Sequence, residues 1–143
     1  MTEIWKSRLP LKIKIFLWML WHDRVLTREQ MKIRKWKGSE KCKYCGKLET
    51  RNHLFFNCVI TQVIWVWVRI SLRWPERPTS VQSLETMIGL GLGTNRDSST
   101  LIIIASVVWC LWKTRNDWLF NDHLIKSPKA IAHKILGLFC HNG

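Results

Sequence analysis

The sequence predicts an all-α protein: a small helical domain interrupted by one cysteine-bearing loop and followed by a C-terminal helical segment. Three observations predict it. Apolar residues cluster in segments of helical length, Ser/Thr caps and Pro or Gly stops bound several of them, and residues 39–58 break the pattern with polar and cysteine residues.

Leu11 to His22 is apolar nearly all round, and Pro10 suits the start of a helix because its missing N–H has no partner there. A helix with that composition is expected to be buried on most sides. Thr27, with Gln30 three residues on, has the spacing of a capping box. The short basic helix it opens is expected to reach about Lys37 and stop at Gly38.

Thr61 to Leu72 is again strongly apolar. Its β-branched content permits a strand, and its helical neighbours favour a helix. Pro75 and Pro78 open a linker over 73–99, with a short apolar piece from Leu84 to Leu92. From Thr100 to about Asp122 the spacing gives a long helix. Ala105, Val108, Trp109, Trp112, Asn116, Leu119 and Phe120 form one stripe, with Asn116 its single polar member. Ser127-Pro128 then opens a last helix carrying Ile131, Ala132, Ile135, Leu136, Leu138 and Phe139. The expected organisation is thus a domain over 1–72, the linker, and a helical segment over 100–143.

With 47% apolar residues a packed core is feasible, and most of the ten tryptophans must lie in it or on a partner surface. The net charge is +13, and it is uneven. Residues 1–58 hold fourteen Lys/Arg against five Asp/Glu, and residues 59–143 hold nine against five. Such an excess favours polyanionic partners, although a solvated basic surface has the same composition. Leu101 to Trp112 is the longest apolar run, well short of the ~20 residues that span a bilayer. No secretory signal is visible, so a soluble intracellular protein is expected, nucleus and cytoplasm unresolved, with reduced cysteines.

The decisive pattern is Cys42-x2-Cys45-x7-His53-x4-Cys58. Zn²⁺ takes four thiolate or imidazole ligands in a tetrahedron, and a C-x2-C turn aims two thiolates at one ion. Gly46 can take a positive φ and so let backbone amides face the sulfurs. His53 and Cys58 are five residues apart, far off-face on an ideal helix, so a helix boundary or distortion is expected between Leu54 and Cys58. Four protein ligands leave no position for substrate, and the site is expected to be structural. Cys110, in the apolar run, reads as a small buried hydrophobe. A second site from Cys110, His123, His133 and Cys140 is conceivable as a minor alternative.

Taken together, "LPLKIKIFLWMLWHDRVLTREQM" and "CKYCGKLETRNHLFFNCVITQVIW" resemble the reverse transcriptase zinc-binding domain of plant LINE-type (non-LTR) retrotransposon proteins. The resemblance rests on Trp5, Pro10, Lys12, Lys14, Phe16, Trp18, Leu26-Thr27, the four metal-type residues, Glu49-Thr50, Leu54-Phe55 and Trp65. The later Trp112-x-x-Arg115-Asn116 looks like a helix that precedes a ribonuclease H domain in such proteins. The resemblance implies a fragment that begins inside the zinc domain and stops before the ribonuclease H domain. The sequence contains no paired-aspartate polymerase motif, and its few acidic residues are scattered, so no enzymatic activity is expected.

The function expected is a non-catalytic zinc module binding RNA or DNA. Arg34, Lys35, Lys37, Lys41, Lys43 and Lys47 flank the metal loop and can neutralise phosphates, while Trp36 or Tyr44 can stack on an unpaired base. Singly, each lysine reads better as a solvated charge and Trp36 better as a core contact; as a group they favour binding. The alternatives are a structural module packing on reverse transcriptase or ribonuclease H modules of the parent element, and a non-functional fragment.

Overall fold

A computed structural model describes residues 2–89 and 99–121. The described residues form α-helices α1 (Thr2–Lys6), α2 (Leu11–Trp21), α3 (Arg28–Ile33), α4 (Val59–Leu72), α5 (Val81–Gly89) and α6 (Ser99–Asn121), with a π-helical turn, His53–Asn57, before α4. There is no strand among them, only one antiparallel bridge between Lys41 and Leu48. The all-α class with a Cys/His loop is therefore the observed one. The helix expected after Ser127 lies outside the described residues, as do His123, His133 and Cys140.

Helix α2 starts where expected, with Pro10 one position earlier as the cap. The Pro10 carbonyl accepts from the Ile13 and Lys14 amides. Its burial differs from expectation. Only Ile13, Phe16, Leu17 and Leu20, one stripe at helical spacing, are buried, while Leu11 and Ile15 are exposed. The helix borders the core on one side, so its all-round apolarity exceeds what packing uses.

Thr27 caps α3 as expected, its Oγ1 accepting from the Gln30 amide at 3.2 Å. The helix then stops at Ile33, four residues before the expected end. Lys35 is left-handed (φ 68°), the Lys35 amide donates to the Lys32 carbonyl and the Trp36 amide to the Met31 carbonyl. That is a Schellman stop without glycine. Helices α2 and α4 end the same way, on Asp23 (φ 54°) and Arg73 (φ 57°). In each, the next amide reaches five residues back: Arg24 to Met19 and Trp74 to Arg69.

One apolar cluster joins these elements. It takes Ile4 and Leu9 from the N-terminus, the buried face of α2, Leu54, Phe55 and Phe56 from the π-turn, and Ile64 and Trp65 from α4. It continues through Trp74, Val81, Leu84 and Met87 to Leu101, Ile104, Val107, Val108 and Leu111 of α6. The stretch 73–99 thus contains α5, capped by the Ser80 hydroxyl, which accepts from the Ser83 amide.

The buried face of α6 is rotated from the expected stripe. Ala105 and Val108 are buried as read, but Trp109, Trp112 and Asn116 are half-buried, and Ile104, Val107, Leu111 and Arg115 face the core. The buried polar member is Arg115, not Asn116. A guanidinium can go inside here because Glu49 awaits it, a pairing that periodicity along one helix cannot reveal.

Candidate metal centre

Residues 41–48 fold back on themselves in a tight knuckle. The Gly46 amide donates to the Cys42 carbonyl at 2.9 Å and the Cys42 amide to the Lys47 carbonyl at 2.6 Å, with Gly46 at φ +78°. This closes the C-x2-C turn and sets both thiols on its inner side. Gly46 is the one knuckle position whose backbone requires glycine.

His53 is set by the other arm. The Thr50 hydroxyl accepts from the His53 amide, and the Thr50 carbonyl from the Leu54 amide, starting a turn that widens to π geometry. The Cys58 amide reaches back five residues to the His53 carbonyl, and Cys58 itself is extended (φ −64°, ψ 146°). This distortion between His53 and Cys58 swings both side chains to one point.

A π-turn leaves carbonyls without their usual helical partners. Here each of the five finds another donor. His53 O takes the Cys58 amide, Leu54 O the Thr61 hydroxyl, Phe55 O the Trp65 indole, Phe56 O Arg77 Nη1, and Asn57 O Gln62 Nε2. The apolar helix α4 thus carries, in Thr61 and Trp65, the groups that make the irregular turn tolerable in the core.

The four donor atoms of Cys42, Cys45, His53 and Cys58 all lie within 4.8 Å of one another. Cys42 Sγ is 3.9 Å from Cys58 Sγ, and Cys45 Sγ is 3.2 Å from His53 Nε2. With Zn–S near 2.3 Å, two sulfurs of a tetrahedral site stand about 3.8 Å apart, so the cluster has the size of a zinc site. The group could hold one metal ion, and its soft donors suit zinc.

The electrostatics suit a cation. The Cys58 hydrogen bond, helped by His53 and by the Tyr44 and Cys45 amides, outweighs burial and holds the Cys42 thiol down to about 3. The same contact, with burial, pushes the Cys58 thiol up. The pair titrates as a unit, in which one thiolate opposes the next. A divalent ion removes that opposition, and Cys58, at the N-terminus of α4, gains further from the helix dipole.

Glu49 ties this loop to the rest of the chain. Its carboxylate accepts from the Arg28 amide in the first turn of α3 (2.8 Å) and from Arg115 Nη2 (2.6 Å). Arg115 also donates to the Leu26 carbonyl and to Asn116 Oδ1. The sequence alone places Glu49, Arg115 and Asn116 among the residues of the family resemblance and puts Asn116, not Arg115, in the buried stripe; it gives no sign that Glu49 and Arg115 pair.

Of the expected nucleic-acid residues, Arg34, Lys35, Lys37, Lys41, Lys43 and Lys47 are all exposed. Trp36 is half-buried beneath the Arg28 guanidinium. Tyr44 is turned towards α6, its ring 4.3 Å from that of Trp118, with a buried hydroxyl. Burial first, then the Cys42 and Cys58 charges, raise its pKa. Lys43 follows it, donating to the Trp118 carbonyl. The tyrosine ring is thus a core-side contact, for which a base would have to displace Trp118.

The fold and site define a helical zinc module, and comparison with known proteins agrees. Residues 1–65 match the model of the family described as zinc-binding in reverse transcriptase, which includes all four clustered residues. The cofactor of this module is zinc. An Arabidopsis thaliana protein that carries the provisional name of a ribonuclease H protein is 27% identical over 124 residues. The match covers 84% of this chain and 20% of that protein, so the chain spans about one fifth of its relative. No solved structure matches the chain. Among the described residues no helix is long and apolar enough to cross a membrane.

Proposed function

We propose that Cys42, Cys45, His53 and Cys58 ligate one structural zinc ion, and that the module so organised binds nucleic acid without catalysing a reaction, as an accessory part of a retroelement-type protein. The observation that carries this reading is the run of exposed cations on and around the knuckle: Arg34, Lys35, Lys37, Lys41 and Lys47. Zinc fixes the backbone that bears them, so phosphates can be neutralised at low ordering cost.

The non-catalytic part rests on chemistry. Four protein donors fill a tetrahedron and leave no place for activated water. No other grouping of three or more His, Cys, Asp or Glu side chains occurs among the described residues.

The test is salt-dependent binding of zinc-loaded protein to single-stranded RNA and DNA. Binding should weaken steeply as salt rises, and replacing Lys37, Lys41 and Lys47 with Gln should flatten that slope by about 2. No binding at low salt sinks the reading, because phosphate contacts show there first.

A second reading, docking onto a reverse transcriptase or ribonuclease H module, is favoured by α4. Val59, Val66, Trp67 and Ile70 are exposed on one stripe of that helix, opposite the buried Ile64 and Trp65.

A further inference from the structure

Away from the zinc knuckle, two lysines from different helices converge on one tryptophan. Lys12 Nζ of α2 stands 5.9 Å from the centroid of the Trp109 ring, and Lys113 Nζ of α6 stands 6.0 Å from it. Both lysines are exposed, and Trp109 is half-buried, its ring braced edge-on by Phe16 at 5.4 Å.

Two features set this tryptophan apart from one that merely fills the core. The Trp65 indole N–H is spent on the Phe55 carbonyl. That of Trp109 makes no hydrogen bond among the described residues and is not a buried unsatisfied group, so it reaches solvent. Second, neither lysine has an ion-pair partner among the described residues, and Asp117, one turn beyond Lys113, makes no such pair. Two exposed ammonium groups beside one ring, with no carboxylate paired to either among the described residues, leave positive charge there for an anion to neutralise. The ligand that answers all three groups is an anion with a planar ring attached.

We infer that Lys12, Trp109 and Lys113 form a second contact site for unpaired nucleic acid, in which a base stacks on the accessible part of the Trp109 ring and the adjoining phosphates lie on the two lysines. This rests on the nucleic-acid reading above but places a contact on the α2–α6 surface, where that reading places none. The lysines already over the ring move outward to the phosphates as the base takes their place.

The experiment is fluorescence anisotropy with the full zinc-loaded chain and three labelled probes of equal length: a uridine strand, a thymidine strand and an abasic strand. Trp109→Leu should weaken binding of the base-bearing strands about tenfold and leave the abasic strand within about twofold. The double variant Lys12→Gln/Lys113→Gln should weaken all three and lower the slope of log affinity against log salt by about 1.4. Zinc content and far-UV circular dichroism report folding. If Trp109→Leu does not fold, the lysine variant, changed only at exposed positions, decides.

A folded Trp109→Leu protein that binds the base-bearing strands like wild type overturns the site. So does an unchanged salt slope in the lysine variant. If either occurs while the Lys37/Lys41/Lys47 variant loses binding, this site fails and the knuckle reading stands. If wild type binds nothing at low salt, both fail. Polyglutamate competing as well as the uridine strand also overturns it, since carboxylates alone would then suffice and an acidic protein becomes the partner.

Discussion

Arg115 Nη2 lies 2.6 Å from Glu49 Oε1, with both side chains almost wholly out of solvent, and this contact joins the metal loop to a helix 66 residues further along the chain. Zinc-type ligands stand on either side of Glu49 in the sequence, Cys45 before it and His53 after it. The pair therefore makes α6 part of the surroundings of the metal centre, although the family match ends at residue 65.

Breaking the pair should cost more than removing it. Arg115→Met leaves a buried carboxylate uncompensated and should destabilise the zinc-loaded protein by about 3–5 kcal/mol in urea unfolding. The double variant Glu49→Leu/Arg115→Met should recover a large part of that loss. A strictly additive double variant would show that the two do not act as a unit.

Zinc removal should loosen the knuckle and π-turn, because the ion's binding free energy is part of what holds four facing donor groups together there. Purified protein should carry close to one zinc ion, and Cys58→Ser should reproduce the effect of a chelator. Full helicity and unchanged melting after chelation would contradict the ligand set.

Acid should release the metal. Cys58 is pushed up by Cys42 and by burial, so it ligates only by giving its proton to solvent as zinc enters. Protons and metal compete, and zinc affinity should fall as pH falls and rise as pH rises. A chromophoric chelator titrated across the acid range measures this, and a pH-independent affinity would exclude thiolate ligation.

The π-turn should depend on its side-chain donors. Thr61→Val keeps the shape but leaves the Leu54 carbonyl buried without its donor, at about 1–3 kcal/mol. The loss should appear in stability and in faster zinc release together, since Leu54 follows His53 directly.

The left-handed helix stops predict one gain. Arg73→Gly removes the steric cost of φ 57° at an exposed position. It should stabilise by about 0.5–1 kcal/mol, the relief exceeding the added freedom of the unfolded chain. Thermal unfolding at fixed zinc checks it.

Much of this architecture is local chemistry, and so was legible beforehand. The Thr27 cap, the Gly46 turn, the metal spacing and the long helix at 99–121 each depend on residues a few positions apart. Even the break between His53 and Cys58 followed from helical geometry, since five residues cannot share a face. The early end of α3 is not legible because Lys35 takes a left-handed conformation that its residue type does not announce. The buried face of α6 differs from the stripe that spacing predicts, because hydrophobic spacing favours Asn116 over a charged residue, and only Glu49 makes Arg115 acceptable inside.

The sequence by itself determined that the chain is helical, that four donors surround one zinc-sized point, and that the surface is strongly basic. The tertiary structure alone decided which charges stay in water and which pair inside, that Tyr44 packs on Trp118 rather than facing outward, and that Lys12 and Lys113 both approach the Trp109 ring. The physical reason is distance along the chain. Caps, turns and ligand spacings are set by neighbours within a few residues, whereas the cost of burying a charge or a ring depends on what a remote segment brings to meet it.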